Sequence, residues 1–190
     1  QADGWYLRQD IIWAKPNPMP ESVKDRCTKS HEYIFLLTKS AKYYYDAEAV
    51  KEEANYDGRH DTVMKGSDKY ADGFVPNQQP HTFHQRGHER WQWENGIAYR
   101  NRRSVWTITT KPFKEAHFAT FPEEIPRTCI LAGSKKGDTI LDPFSGAGTT
   151  GVVAEKLDRK YIGIELNPEY VKMSDDRMWN VQPLFAGLEL

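Results

Sequence analysis

The ten residues Asp142 to Gly151, reading DPFSGAGTTG, constrain the fold of this chain more than any other stretch. Within them Gly146, Gly148 and Gly151 have G-x-G-x-x-G spacing. The short apolar run Thr139 to Asp142 before them reads as a strand, and Thr149 to Leu157 after them reads as a helix. A strand that turns through glycines into a helix opens a βαβ unit, and the right-handed crossover implies a parallel partner strand. Lys160 to Glu165 supplies that partner and ends on Glu165, where an acid can meet ribose hydroxyls. Pro122 with Glu123 and Glu124 forms a good first helical turn, with Ile125, Ile130 and Leu131 as candidate core residues and Gly133 as a stop. A last helix is predicted from Pro168 to about Asn180. Helix, strand, helix, strand, helix in that order predicts an α/β fold with a doubly wound, Rossmann-like sheet.

Glycine spacing alone is weak evidence for a particular ligand, since a nicotinamide-dependent oxidoreductase uses the same pattern. The prefix Asp142-Pro143-Phe144-Ser145 sharpens it by placing a carboxylate and an aromatic ring beside the glycines. A pyrophosphate prefers a bare helix N-terminus without added negative charge. A cationic sulfonium ligand that also carries an amino group is favoured by that charge. The plainer alternative is a tight turn at Gly146 to Gly151 with Asp142 as a capping acid; the coincidence of strand, turn, prefix and distal acid argues against it.

Further towards the N-terminus, Arg8 to Ala14 reads as a strand stopped by Pro16, Pro18 and Pro20, which cannot donate to a ladder. His31 to Thr38 and Tyr43 to Asp46 read as a buried strand and a hairpin-like partner, and Ser104 to Thr109 as a strand returning to the body. Between about Glu48 and Arg103 aliphatic residues are few and no period is sustained, so this is expected to be an inserted functional region or a partly mobile one. The polar excess of the chain (38% hydrophobic residues, mean hydropathy -0.77) is concentrated there. Lys and Arg number 26 against 27 Asp and Glu, so any contact with nucleic acid has to be local. Arg86, Arg90, Arg100, Arg102 and Arg103 alternate with Trp91, Trp93, Tyr99 and Trp106, a mixture suited to phosphate clamps, guanine contacts and stacking. The competing reading is an exposed basic loop whose tryptophans tuck into the body. His81, His84 and His88 lack cysteine or acid partners at ligand spacing, and no metal is expected. Cys27 and Cys129 read as reduced, small buried hydrophobes, and with no apolar run long enough for a bilayer the expectation is a cytoplasmic protein. A chain opening on Gln1 almost directly into a strand suggests a start inside a larger domain.

DPFSGAGTTG, KYIGIELNPEY (Lys160 to Tyr170), HFATFPEEIPRTCI (His117 to Ile130), IIWAKPNPMP and HEYIFLLTK together resemble the DNA amino-methyltransferases. The similarity is to their permuted group, in which the cofactor half follows the catalytic half, and it covers nearly the whole chain. It implies a class I methyltransferase sheet, incomplete here, in which 1–47 are part of the catalytic sheet, 48–103 a loop-rich target-recognition insertion and 104–190 the S-adenosylmethionine-binding part. The implied cofactor set is His117, Phe118, Ala119, Thr120 and Phe121 closing over the methionyl part; Asp142, Pro143, Phe144, Ser145, Gly146, Gly148, Thr149 and Thr150 at the turn; Glu165 on the ribose hydroxyls; and Leu166 and Asn167 near the adenine. Lys15, Asn17 and Lys24 join the middle arginines as contacts to double-stranded DNA.

The same family uses an Asp-Pro-Pro-Tyr or Ser-Pro-Pro-Tyr tetrapeptide to hold the target amine, upstream of the strand at Arg8 to Ala14. No Pro-Pro dipeptide occurs in this chain, and NPMP (Asn17 to Pro20) and NPEY (Asn167 to Tyr170) are no substitutes. The expectation is therefore a portion of a site-specific adenine or cytosine amino-methyltransferase that carries no catalytic residue and is inactive by itself. The alternative is a non-catalytic subunit that binds cofactor and DNA and is completed by a partner chain. An incomplete sheet also exposes a strand edge that invites a homodimer or a complementing chain.

Overall fold

A computed structural model of the chain describes residues 3–54, 92–94, 97–110 and 121–181. In chain order its elements are β1 (Tyr6–Ala14), β2 (His31–Thr38), β3 (Glu52–Glu53), β4 (Gln92–Glu94), β5 (Ile97–Arg100), β6 (Val105–Thr107), α1 (Glu124–Gly133), β7 (Thr139–Asp142), α2 (Thr149–Lys156), β8 (Lys160–Gly163) and α3 (Pro168–Trp179). They form two compact units, one of residues 1–50 with 103–190 and one of residues 51–102.

In the larger unit β1 pairs antiparallel with β2, and its C-terminal end pairs parallel with β6, Trp13 opposite Trp106. Alternation along β1 turns Ile11 and Trp13 into a core with Trp106, Ile108 and Ile125, against which Ile34 packs. The buried Trp13 indole is satisfied by donating to the carbonyl of Ile108 at 2.8 Å. A second sheet pairs β7 and β8 in parallel, Thr139 opposite Lys160 through Asp142 opposite Gly163, with α2 as the crossover between them. Ile130, Val153 and Ala154 are the buried centre here, with Ile140, Leu157 and Tyr161 packed round them. Helix α1 thus serves both cores, Ile125 in one and Ile130 in the other. Pro126, in its first turn, forfeits only an N–H that has no partner within the helix.

Several expectations are corrected. Tyr43 to Asp46 is not a strand: the Asp46 N–H donates to the carbonyl of Ala132 near the end of α1, and the Asp46 carboxylate accepts from Ala49 N, so this segment is tied to a helix end and a turn. Trp106 is 7% exposed and belongs to the core, so it offers no stacking surface. Leu131 is only half-buried, and Ala132 takes the inward place beside it. Cys27 and Cys129 are exposed, because one lies in the proline-rich loop after β1 and the other on the outward side of α1. β1 begins two residues earlier than expected, and β8 ends at Gly163, leaving Glu165 beyond the ladder.

In the smaller unit the described strands form an antiparallel sheet in the order β3-β5-β4. Glu52 lies opposite Arg100, and the two make an ion pair at 2.9 Å. Composition gave no sign of these strands, which are two to four residues long.

Candidate functional site

The turn between β7 and α2 is held from three sides. Gly146 and Gly148 both have left-handed backbone, φ +52° and +74°, which a glycine adopts without steric cost. Asp142 closes the start of the turn by accepting the Phe144 N–H at 3.0 Å. Glu165 then ties the turn to the strand that follows: one carboxylate oxygen accepts from Gly146 N at 2.8 Å, the other from Leu166 N and Asn167 N, both at 2.9 Å. These backbone donors, Asn167 and Gly146 foremost, hold the Glu165 carboxyl below its usual range. Asn167 in turn caps α3 by accepting the Glu169 N–H at 3.0 Å, with Pro168 at the first helical position.

The three glycines do different things. A Cβ on Gly146 would meet nothing within 4 Å, so that part of the turn is open to an approaching molecule. A Cβ on Gly148 would lie 2.1 Å from the Ser174 hydroxyl oxygen, and one on Gly151 2.5 Å from the Met178 sulfur. The second and third glycines are therefore demanded by the close packing of α3 and Tyr161 on α2, a reason that the G-x-G-x-x-G spacing by itself does not state.

Ser145 is buried and accepts a hydrogen bond from the Tyr161 hydroxyl at 2.8 Å. Burial, with Asp142 adding to it, pushes the Tyr161 phenol up, which keeps it a donor to Ser145. Two cavities flank the turn. One, of about 410 Å³, is lined by Ser145, Tyr161, Glu165 and the Ser174, Asp175 and Met178 side of α3. The other, of about 430 Å³, brings Phe121, Cys129 and Ile130 together with Leu141, Asp142 and Thr150. Phe144 and Leu166 stand out into solvent, 89% and 96% exposed. The turn thus offers an acid at each strand end, an open glycine and exposed apolar side chains, a combination suited to a cationic nucleoside.

Among the expected cofactor residues, Asp142 to Gly146, Gly148 to Thr150, Glu165, Leu166, Asn167 and Phe121 fall round this turn, while His117, Phe118, Ala119 and Thr120 lie outside the described residues. Of the expected DNA contacts, Lys15 pairs with Glu32 and sits 4.4 Å from the Trp13 ring centroid. Asn17 is engaged at both ends of its amide with the Thr110 backbone, at 3.0 and 3.2 Å. Lys24 and Arg103 are exposed, Arg102 is half-buried and Arg100 holds Glu52. Arg86, Arg90, Trp91 and the three clustered histidines lie outside the described residues. Sequence reasoning missed Tyr161, Ser174 and Arg177. The Arg177 guanidinium donates to the Ala147 carbonyl and, at 3.4 Å, to the Thr149 hydroxyl. Its only sequence signal was its position one helical turn after Ser174 and one residue before Met178 on the face that meets the glycines. Among the described residues no helix is long and apolar enough to cross a membrane.

Comparison with known proteins gives a consistent picture. A family model described as DNA methylase, of the N6/N4 type, matches residues 1–176. The type II methyltransferase M.Cfr9I of Citrobacter freundii is 51% identical over 178 residues, covering 94% of this chain and 46% of that protein. Type II methyltransferase M.XycI of Xanthomonas campestris pv. cyanopsidis is 46% identical over the same share of both. The chain therefore spans about half the length of the curated relatives it matches. Among solved structures, a cytosine-N4-specific PvuII DNA methyltransferase superposes with a TM-score of 0.60 at 20% identity, over 92% of this chain and 51% of that one. A complex of M1.HpyAVI with SAM superposes with 0.56 at 21% identity, over 93% and 64%. At such identities the likeness establishes the fold, an α/β arrangement of the class I methyltransferase kind with a partial sheet.

Proposed function

This chain belongs to the DNA methylase family, and on that premise we propose that it is the cofactor-holding and target-reading portion of a site-specific DNA amino-methyltransferase. The enzyme class is that of restriction-modification systems, its substrate double-stranded DNA, its acceptor the exocyclic amine of adenine or cytosine, and its place the cytoplasm. The observation that carries this reading is the open glycine turn at Gly146, tied to Glu165 and edged by Asp142.

S-adenosylmethionine supplies a methyl group already activated on a sulfonium, so the protein's work is alignment. Glu165 keeps one lone-pair site, on the oxygen that accepts from Gly146, beyond those taken by three N–H groups, and it would accept from a ribose hydroxyl. Asp142 supplies negative charge for a cationic ligand, and Phe144 and Leu166 supply apolar contact. The target amine is buried in a duplex, so its nucleotide has to be extruded at a cost of about a few kcal/mol from unstacking. The middle region, with Arg100, Arg102 and Arg103 at its end and Arg86 and Arg90 within, is the natural reader of the surrounding sequence; Lys15, Asn17 and Lys24 flank it.

No tetrapeptide with adjacent prolines is available to hold the amine, so the chain by itself binds cofactor and transfers no methyl group. The rest of the machinery then comes from a longer polypeptide of which this is a portion. Calorimetry of the chain with S-adenosylhomocysteine and, separately, with NAD should give binding to the first alone. A methylation assay on DNA of mixed sequence should show transfer only when an N-terminal extension bearing Asp-Pro-Pro-Tyr is present. Preference for NAD would overturn the cofactor assignment, and methyl transfer by the short form would overturn the account of the missing catalytic group.

A further inference from the structure

We infer that Arg177 is a positioning residue for the cofactor turn, acting by fixing the direction of the Ala147–Gly148 peptide; this rests on the cofactor reading above. That peptide lies between glycines with left-handed backbone, and Gly148 tolerates either sign of φ. A peptide so placed can reverse its carbonyl and N–H with little steric resistance, which would change what the turn presents to a ligand. Two contacts oppose the reversal. The Gly148 N–H donates to the Ser145 carbonyl at 2.9 Å, and the Ala147 carbonyl accepts from the Arg177 guanidinium, which also reaches the Thr149 hydroxyl at 3.4 Å. The second is charge-assisted and comes from a half-buried side chain, so it is the stronger of the two.

Arg177 lies in the last turn of α3, where a cation suits that helix's own macrodipole, but its guanidinium is directed to the N-terminus of α2. Thr149 is the first residue of α2, and a cation at a helix N-terminus is opposed by the macrodipole. What places it there is the face of α3 that carries Ser174, Arg177 and Met178, at spacings of three and four residues. Ser174 meets Gly148, Met178 meets Gly151, and Arg177 takes the carbonyl between Gly146 and Gly148. At the other end of the same helix, Asn167 caps it two residues after Glu165, which holds Gly146 N. The two pinned groups of the turn, the Gly146 N–H and the Ala147 carbonyl, are therefore both held by α3 or the residues leading into it.

The test measures the dissociation constant for S-adenosylhomocysteine by calorimetry, the melting temperature, and amide hydrogen exchange at Gly148. Arg177→Gln, which keeps a polar side chain but loses charge and reach, should weaken binding about tenfold or more and speed exchange at Gly148. Arg177→Lys, which restores a charged donor, should recover most of the affinity. Val153→Ala, a core truncation away from the turn, should lower the melting temperature at least as much as Arg177→Gln and leave affinity within about threefold. Folded Arg177→Gln that binds like the unaltered chain overturns the inference, as does loss of affinity in Val153→Ala in proportion to its loss of stability. Should Arg177→Gln not fold, a folded Arg177→Lys with affinity well below that of the unaltered chain and slow Gly148 exchange also overturns it. Failure of the unaltered chain to bind removes the cofactor reading itself, an outcome separate from all of these.

Discussion

Gly146 and Gly148 share a backbone conformation and differ in what surrounds them, so the same substitution should separate binding from stability. Gly148→Ala forces a Cβ to within 2.1 Å of the Ser174 hydroxyl and 3.0 Å of the Ser174 Cα, at φ +74°. Left-handed strain and overpacking together should cost about 2–4 kcal/mol, read as a large drop in melting temperature. Gly146→Ala carries only the strain, about 1 kcal/mol, because its Cβ points into open space. It should fold, yet lose S-adenosylhomocysteine affinity about tenfold, since the methyl occupies the space above the turn. Undiminished binding in Gly146→Ala would mean the ligand sits elsewhere. Glu165 gives a second expectation. Its carboxyl is depressed in the folded chain by the N–H groups of Asn167 and Gly146, so its contribution to stability is complete above the ordinary carboxylate range. That contribution is lost as pH falls from there through the depressed folded value. Melting temperatures taken from about pH 7 down to about pH 3 should fall less steeply in Glu165→Gln than in the unaltered chain; equal slopes would show that the tie to Gly146 does not stabilise the fold. At this scale the meeting of Asp142, Gly146 and Glu165 at one turn was legible from the sequence, because it follows from a strand, a glycine turn and the next strand in order. Arg177 and Ser174 were not, because their role comes from a helix docking back onto that turn.

Among the elements, strands joined by a crossover helix were the most legible, because a glycine turn, a helical period and a second apolar run state the topology locally. Tyr43 to Asp46 shows the limit. Three consecutive tyrosines suit a strand by propensity, but the Asp46 N–H is satisfied by Ala132 at the end of α1 instead of by a ladder. Arg159 shows another. In the sequence it is one more charge in LDRKY, yet it is 7% exposed and its guanidinium donates to the Ser134 carbonyl at 2.8 Å, to the Ser134 hydroxyl and to the Leu157 carbonyl. Ser134 and Leu157 are the C-caps of α1 and α2, so one cation satisfies acceptors at both helix ends and complements both dipoles. Arg159→Met, similar in length and unable to donate, leaves those carbonyls buried without their partner. The expected loss is about 2–4 kcal/mol, measured by denaturant titration of the chain. A loss under about 0.5 kcal/mol, typical of a surface change, would show that water or the neighbouring backbone takes over the acceptors.

A sheet containing parallel pairs is normally covered on both faces, and in each of the two sheets of the larger unit the faces are unequal. The inward face of the β2-β1-β6 sheet carries Ile11, Trp13 and Ile34, and that of the β7-β8 sheet carries Ile140 and Tyr161, each packed in its own core. On the outward face of the first sheet Leu7, Tyr33, Phe35 and Leu37 are 49–56% exposed, and on that of the second Leu141 and Ile162, opposite each other in the ladder, are 59% and 54% exposed. Mean composition hid this, because the polar middle region dilutes the apolar strands. Relatives about twice as long have polypeptide enough for a second layer. Left bare, apolar strand faces of this kind associate. Sedimentation velocity of the chain alone should therefore show concentration-dependent self-association. Lys substitutions at Phe35 and Ile162, both already exposed, should weaken that association while the melting temperature changes by no more than a few degrees. A form extended N-terminally to the length of the relatives should sediment as a monomer under the same conditions, because its added residues occupy the surface that otherwise pairs with a second copy. A chain that stays monomeric at every concentration, with no binding of an apolar dye, would instead mean that these side chains are adequately solvated as they stand, and that the longer relatives use their additional length for something other than covering these two faces.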